Sequence, residues 1–165
     1  MLTAVYALPE KTLGTERELL EAMLDRNRLA LVENARGLSE ADARRRLVSS
    51  LTTPISLVKH AAVAERRWFQ WLVAGLDEAE IDGPSTPGDA SFAVSDDETV
   101  ADVIAEYERT SARSREIAAG FSLDDRWTHP VVGEVSLRFI YLFLIEEFAR
   151  HTGHSDILRE QLTAR

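Results

Sequence analysis

The chain has 165 residues, 45% of them hydrophobic and 28% charged; that is enough apolar material for one buried core and too little length for two ordinary domains, so a single domain over residues 1–165 is expected. Its 28 Asp and Glu against 19 Lys and Arg give a formal net charge of -9, which disfavours a phosphate-backbone partner and hence nucleic acid. There is no cysteine, which excludes disulfides, Cys-ligated zinc and a protein thiol nucleophile; any thiol chemistry has to use a thiol that binds from outside.

The N-terminus, MLTAVYALPEKTLGTERELL, has no basic region followed by a sustained apolar core, so it does not read as a secretory signal. The longest apolar run, Phe139 to Ile145, is far below the ~18 residues that span a bilayer. A cytoplasmic protein without a membrane partner is expected.

Thr15 and Glu18 have capping-box spacing, and Leu19, Leu20, Met23, Leu24, Ala30, Leu31 and Ala35 recur at helical intervals until Gly37, which predicts a first long helix. Ser39 to Val48 reads as a short connecting helix. Thr52, Thr53 and Pro54 then supply an N-cap with proline at the first helical position. The second long helix runs to about Gly75, with Leu57, Ala61, Ala64, Trp68 and Leu72 as its core stripe and Val58, Phe69 and Trp71 beside it.

Residues 76–97 concentrate Gly, Pro, Ser and acids and read as a long irregular connection. Loops of that length in compact domains tend to be functional. Ser95 and Glu98 repeat the capping-box spacing ahead of Val100, Val103, Ile104, Tyr107, Ile117 and Ala118, a third long helix that stops at Gly120. Residues 121–135 form a second irregular connection, with at most a brief turn over Val131–Val135 and no strands. Ser136 caps a last helix whose first two turns are apolar all round and therefore central to the core. Four long helices without strand periodicity or an internal repeat predict an all-α four-helix bundle with long connecting loops.

The last helix carries the most informative feature. Alternating steps of three and four from Leu137 pass through Ile140, Leu144, Glu147, His151, His154 and Leu158, so three ionisable groups stand on a stripe that otherwise faces inward. Such groups buried without partners each cost several kcal/mol, and something has to satisfy them. On the second helix His60 lies about sixty degrees from Leu57, at the edge of the apolar stripe. One imidazole there and a Glu-x-x-x-His pair on the last helix can converge on one cation, with an open coordination position. The spacing equally allows Glu147 to bond His151 or an arginine, with His60 a boundary histidine; His154 is a fourth ligand or a donor behind the first three.

Elsewhere the sequence reads more plainly. His129 is expected to be a solvated loop histidine, and Glu65, Arg66 and Arg67 a helix-surface charge cluster. Trp68, Phe69 and Trp71 are expected in the core. Gly153, costly within a helix, suggests close approach of a backbone or ligand.

The segments VKHAAVAERRWF and IEEFARHTGHSDILRE, in this order and at this separation, resemble the DinB-like (YfiT-like) superfamily, nearest to its actinobacterial mycothiol-transferase-like branch. The resemblance covers nearly the whole chain. It implies an up-down-down-up four-helix bundle, often dimeric, holding a divalent metal on one histidine of the second helix and a His/Glu-x-x-x-His pair of the last. Carried over by position, these are His60, Glu147 and His151, with His154 where many relatives have glutamine. The implied activity is a thiol S-transferase or isomerase using mycothiol or a similar low-molecular-weight thiol against an electrophilic small molecule. Zinc suits a His2Glu set first, and nickel, iron and manganese suit the same ligands. The mycothiol-dependent maleylpyruvate isomerases sharing this bundle carry a further C-terminal domain, whereas this sequence stops at Arg165, so that particular isomerisation is not expected. The competing expectations are a metal-assisted hydrolase, with Glu146 or Glu147 moving protons, and a non-catalytic stress-related metal-binding bundle.

Overall fold

The computed structural model describes residues 11–164; the extreme N-terminus, on which the secretory-signal reading rests, lies mainly outside them. The described residues are mostly helical, with one small hairpin. Thr15 caps α1 (Glu16–Ala35) through the expected box, its hydroxyl accepting from the Glu18 amide while the Glu18 carboxylate accepts from the Thr15 amide at 2.9 Å. Gly37, at φ 77°, turns the chain out of the helix as a left-handed residue must.

The connecting helix α2 is shorter than expected, covering only Glu40–Ala43. Its C-cap is Arg44, whose guanidinium reaches the carbonyls of Ser95 and Glu98. The Glu40 carboxylate meanwhile accepts from the Val100 amide at 3.0 and 3.1 Å, so α2 closes the N-terminus of the third long helix.

Thr53 and Pro54 open α3 (Pro54–Glu65), and the same helix continues as a π-helical segment over Arg66–Val73 before Gly75 ends it at φ 69°. A π turn is wider than an α turn, so the steps of three and four that place Leu57 and Ala61 do not continue unchanged through Trp68 and Leu72. Arg66 and Gln70 of this segment face the protein interior. Arg66 and Gln70 are each 1% exposed and Glu65 is 0% exposed, which overturns the surface-cluster reading. Only Arg67 stays near the surface, 3.8 Å over the Trp71 ring and 2.7 Å from Glu78.

The third long helix, α4 (Val100–Ala119), starts four residues later than the Ser95 box suggested: Thr99 and Asp102 form the capping box instead. Ser95 and Glu98 do bond, at 2.8 Å, but they close the turn before the helix. Residues 121–135 also differ from expectation. Arg126–His129 (β1) and Gly133–Ser136 (β2) pair antiparallel, with Trp127 opposite Val135. His129 closes the turn by accepting from the amides of Val131 and Val132 at 3.2 Å each, and its ring stacks on Trp68 at 5.1 Å. It is a structural member of the aromatic cluster and not a solvated loop side chain.

Ser136 caps α5 (Leu137–Thr163). Its buried face runs Leu137, Ile140, Tyr141, Leu144, Phe148, Thr152, Ser155, Leu158 and Leu162, while Phe139 and Leu142 are exposed. The first turns are therefore not buried all round. Gly153 is exposed, and a Cβ there would meet nothing within 4 Å, so no close approach explains it. α5 packs along α1, where Asn27 and Asn34 donate to the Ile145 carbonyl and the Asp156 carboxylate. α3 packs against both α4 and α5, and the apolar faces meet in one core built around Leu24, Leu31, Leu57, Val58, Phe69, Tyr107, Ile140, Leu144 and Phe148.

Two buried ion clusters join these helices. Arg28 of α1 holds Glu65 of α3 through two bonds of 2.8 Å. Arg66 bonds Asp82 at 2.9 Å and Glu106 at 2.7 Å, and Lys59 bonds Glu98 and Glu106. Removing one partner of a pair this buried strands the other charge, at a cost of about 3 to 5 kcal/mol. Glu65→Ala is therefore expected to lower unfolding free energy by about that amount in a denaturant titration. Burial alone would raise the Glu106 carboxyl, but bonds from Lys59 and Arg66 outweigh it and hold the group below its ordinary value. A depressed folded-state value stabilises above the unfolded value of about 4.3 and loses that contribution as pH falls. Stability measured from pH 6 downward is expected to fall less steeply in Glu106→Gln than in the wild type over that acid limb.

Candidate metal centre

His60 sits midway along α3, and Glu147 and His151 stand one helical turn apart on α5. Helix spacing aligns the second pair, and the α3–α5 contact brings the first to it. His60 Nε2 lies 3.3 Å and His151 Nε2 3.0 Å from the same oxygen, Glu147 Oε1. One ligand atom from each of the three residues falls within a mutual 4.8 Å. The rings are nearly perpendicular, 80° apart with centroids at 4.8 Å.

These residues lie beside the buried stripe of α5 and not on it. The true seam passes one residue further round, through Phe148, Thr152 and Ser155, which puts Glu147 and His151 at the edge of the core. Their side chains are 20% and 12% exposed, and that of His60 is 16% exposed. The trio is thus shielded on its core side and reachable from the other. Hydrogen bonds from His151 and then His60 hold the Glu147 carboxyl far below the usual carboxylate range, against the opposing effect of burial. Arg150 adds a longer contact, 3.6 Å from Glu147 Oε2.

A carboxylate oxygen flanked by two imidazole nitrogens is satisfied in one of two ways: each ring gives it a proton, or one cation takes lone pairs from all three. Two imidazoles and a carboxylate are the donor set of a three-ligand divalent site with an open position. The donor types and their convergence both fit such an ion. His154 stands apart from the trio, exposed on the next turn, its ring centroid 5.5 Å from that of His151. Burial and then the His151 and Arg150 charges lower its pKa.

Sequence reasoning missed two residues at this centre. Ser91 and Phe92 belong to a short 3₁₀ segment, Gly88–Phe92, inside the long connection. Ser91 Oγ is 2.7 Å from His60 Nδ1, and the Phe92 ring lies on the imidazole at 4.2 Å with 7° between planes. No periodicity marks them; the length of the connection is the one signal in the sequence. The cavities of about 210 and 180 Å³ beside α1 and α4, both lined by Asp25, Arg28 and Arg115, include none of the trio.

Comparison with known proteins agrees with this picture. The mycothiol-S-transferase family model matches residues 19–164, and the chain belongs to that family, which is DinB-like. Among solved structures, the fold is similar to a crystal structure of a conserved protein from Enterococcus faecalis, with a TM-score of 0.65 and 15% identity over 93% of this chain and 100% of that one. No curated protein is significantly similar in sequence.

The geometry separates His154 from the other three. His154→Gln is expected to change the zinc dissociation constant by less than about tenfold, the lower end of outer-shell effects, whereas His60→Ala and His151→Ala abolish stoichiometric uptake. Competition titration against a chromophoric chelator measures all three.

Proposed function

We propose that the protein is a divalent-metal-dependent thiol S-transferase or isomerase, with His60, Glu147 and His151 as ligands. Mycothiol or a similar low-molecular-weight thiol is the cosubstrate and an electrophilic small molecule the acceptor. The observation that carries this reading is the convergence of two imidazoles and one carboxylate within 4.8 Å, at the rim of the core, in a chain of the mycothiol-S-transferase family.

A divalent ion bound there supplies the positive charge that favours the thiolate form of a thiol at neutral pH. The protein sets how much charge is left over: Glu147 contributes one negative charge and two neutral imidazoles contribute none, so a dication keeps net positive charge. The core side of the site is closed by apolar packing and by Phe92, which leaves the solvent side for the thiol and its acceptor. The sequence contains no cysteine, so no protein thiol in it competes for the position. Zinc is the first choice for this donor set, with nickel, iron and manganese suited to the same ligands. The reading also includes one domain over residues 1–165 with the long helices in up-down-down-up order, acting as a cytoplasmic homodimer; no helix among the described residues is long and apolar enough to cross a membrane.

Elemental analysis of untagged protein is expected to find near-stoichiometric metal that is absent from His60→Ala and His151→Ala. Assayed with thiols against an electrophilic fluorogenic probe, the wild type is expected to conjugate the two in a thiol- and metal-dependent manner. Turnover that proceeds without thiol, or survives chelation unchanged, overturns the proposal.

A further inference from the structure

The imidazole of His60 has more partners than that of His151. His151 Nδ1 is buried and has no hydrogen-bond partner among the described residues, while both sides of His60 are occupied. Ser91 Oγ lies 2.5 Å from the Gly88 carbonyl oxygen. A carbonyl only accepts, so the single hydroxyl proton of Ser91 is spent on Gly88. The same oxygen is 2.7 Å from His60 Nδ1, and with its own proton committed it can only accept there. The proton of that bond therefore belongs to the ring, on Nδ1. This leaves Nε2 of the neutral ring as a lone pair, 3.3 Å from the Glu147 carboxylate oxygen. Two facing acceptors at that distance repel unless a cation, or a second proton on the ring, lies between them.

Phe92 fixes the remaining freedom. Its ring lies nearly parallel to the imidazole at 4.2 Å, which opposes rotation of His60 out of the plane in which Nε2 faces Glu147. The 3₁₀ segment is itself held firmly. Ser91 is 1% exposed, and the connection on its N-terminal side is tied to α3 by Gln70, whose side chain donates to the Asp82 carboxylate at 2.8 Å and accepts from the Asp82 amide at 3.1 Å. On its C-terminal side Lys59 of α3 holds Glu98.

We infer that Ser91 is a positioning residue for the metal centre: it commits His60 to the Nδ1–H tautomer and aims Nε2 at the ion, so that the long connection supplies the support behind one ligand. This rests on the metal reading above. Outer-shell hydrogen bonds of this kind fix the tautomer of a ligating histidine, and their loss weakens metal binding by about 10- to 100-fold.

The test uses the full chain, zinc alone as the probe, and Ser91→Ala beside Ser91→Thr, with thermal melting to establish that each variant folds. Ser91→Ala is expected to bind zinc about 10- to 100-fold more weakly, and Ser91→Thr to recover most of the loss. In zinc-loaded protein labelled with ¹⁵N-histidine, the His60 Nδ1–H resonance is expected to exchange slowly in the wild type and in Ser91→Thr, and quickly in Ser91→Ala. Wild-type zinc affinity and a protected Nδ1–H in Ser91→Ala overturn this inference alone. A wild type that takes up no ion overturns the metal reading and this inference with it.

Discussion

The guanidinium of Arg66, 1% exposed, ties the long connection to two of the helices. It is a charge removed from water, which is tolerable only when its hydrogen bonds are filled. The bonds reach two separate stretches of chain: Asp82 and the Pro84 carbonyl in the long connection, and Glu106 on α4. Lys59 shares Glu106 and adds Glu98. α3, α4 and residues 76–98 are thereby joined through a few directional bonds that accept little displacement. The hydrophobic core sets which helices pack, and this network sets where the connection runs along them. The Gly88–Phe92 segment can stand against His60 because both flanks of the connection are fixed in this way.

Helix ends are closed by the same kind of interaction at longer range. Arg159 of α5 donates to the carbonyls of Asn34 and Arg36 at 2.8 and 3.0 Å, and Arg17 of α1 donates to those of Ala118 and Phe121 at 2.8 and 2.7 Å. Neither α1 nor α4 has a basic residue in its last turn, so each takes its cation from another helix. A helix C-terminus left with bare carbonyls is thus tied to its neighbour, and the capping interaction doubles as a packing restraint. Glu40 does the same with opposite sign at the start of α4.

The long helices were legible because their signals are local. Capping boxes, proline at a first position and steps of three and four are decided within a few residues, and Thr15, Thr53 and Ser136 are caps in both sequence and structure. The Ser95 box misled because Ser95 and Glu98 do bond but close a turn, while a second box four residues on, Thr99 and Asp102, opens the helix. The hairpin was missed for another reason: Trp127 is held by its indole bond to the Val73 carbonyl and His129 by stacking on Trp68, and neither appears in a period-two pattern. Glu65 and Arg66 look like surface residues in a composition count, and only distant partners, Arg28 for Glu65 and Asp82 and Glu106 for Arg66, make them tolerable in the interior. At the candidate centre, Glu147 and His151 were found from their spacing and His60 from its place beside an apolar stripe. Ser91 and Phe92 could not be, since a tertiary contact alone relates them to His60.

The π segment over Arg66–Val73 lies between two fixed points. Upstream, His60 is gripped by Ser91 and Phe92; downstream, the Val73 carbonyl is bound by Trp127 at 3.1 Å. Adding or removing one residue in an α-helix rotates everything beyond it by about 100°. Between Pro54 and His60 such a change would swing the imidazole away from Glu147. Within the π segment it can be absorbed by exchanging one kind of helical turn for another, leaving both ends in register. Tolerance to changes in chain length along this helix is therefore concentrated in the segment where the backbone is widest, and a ligand upstream of it is insulated from that variation.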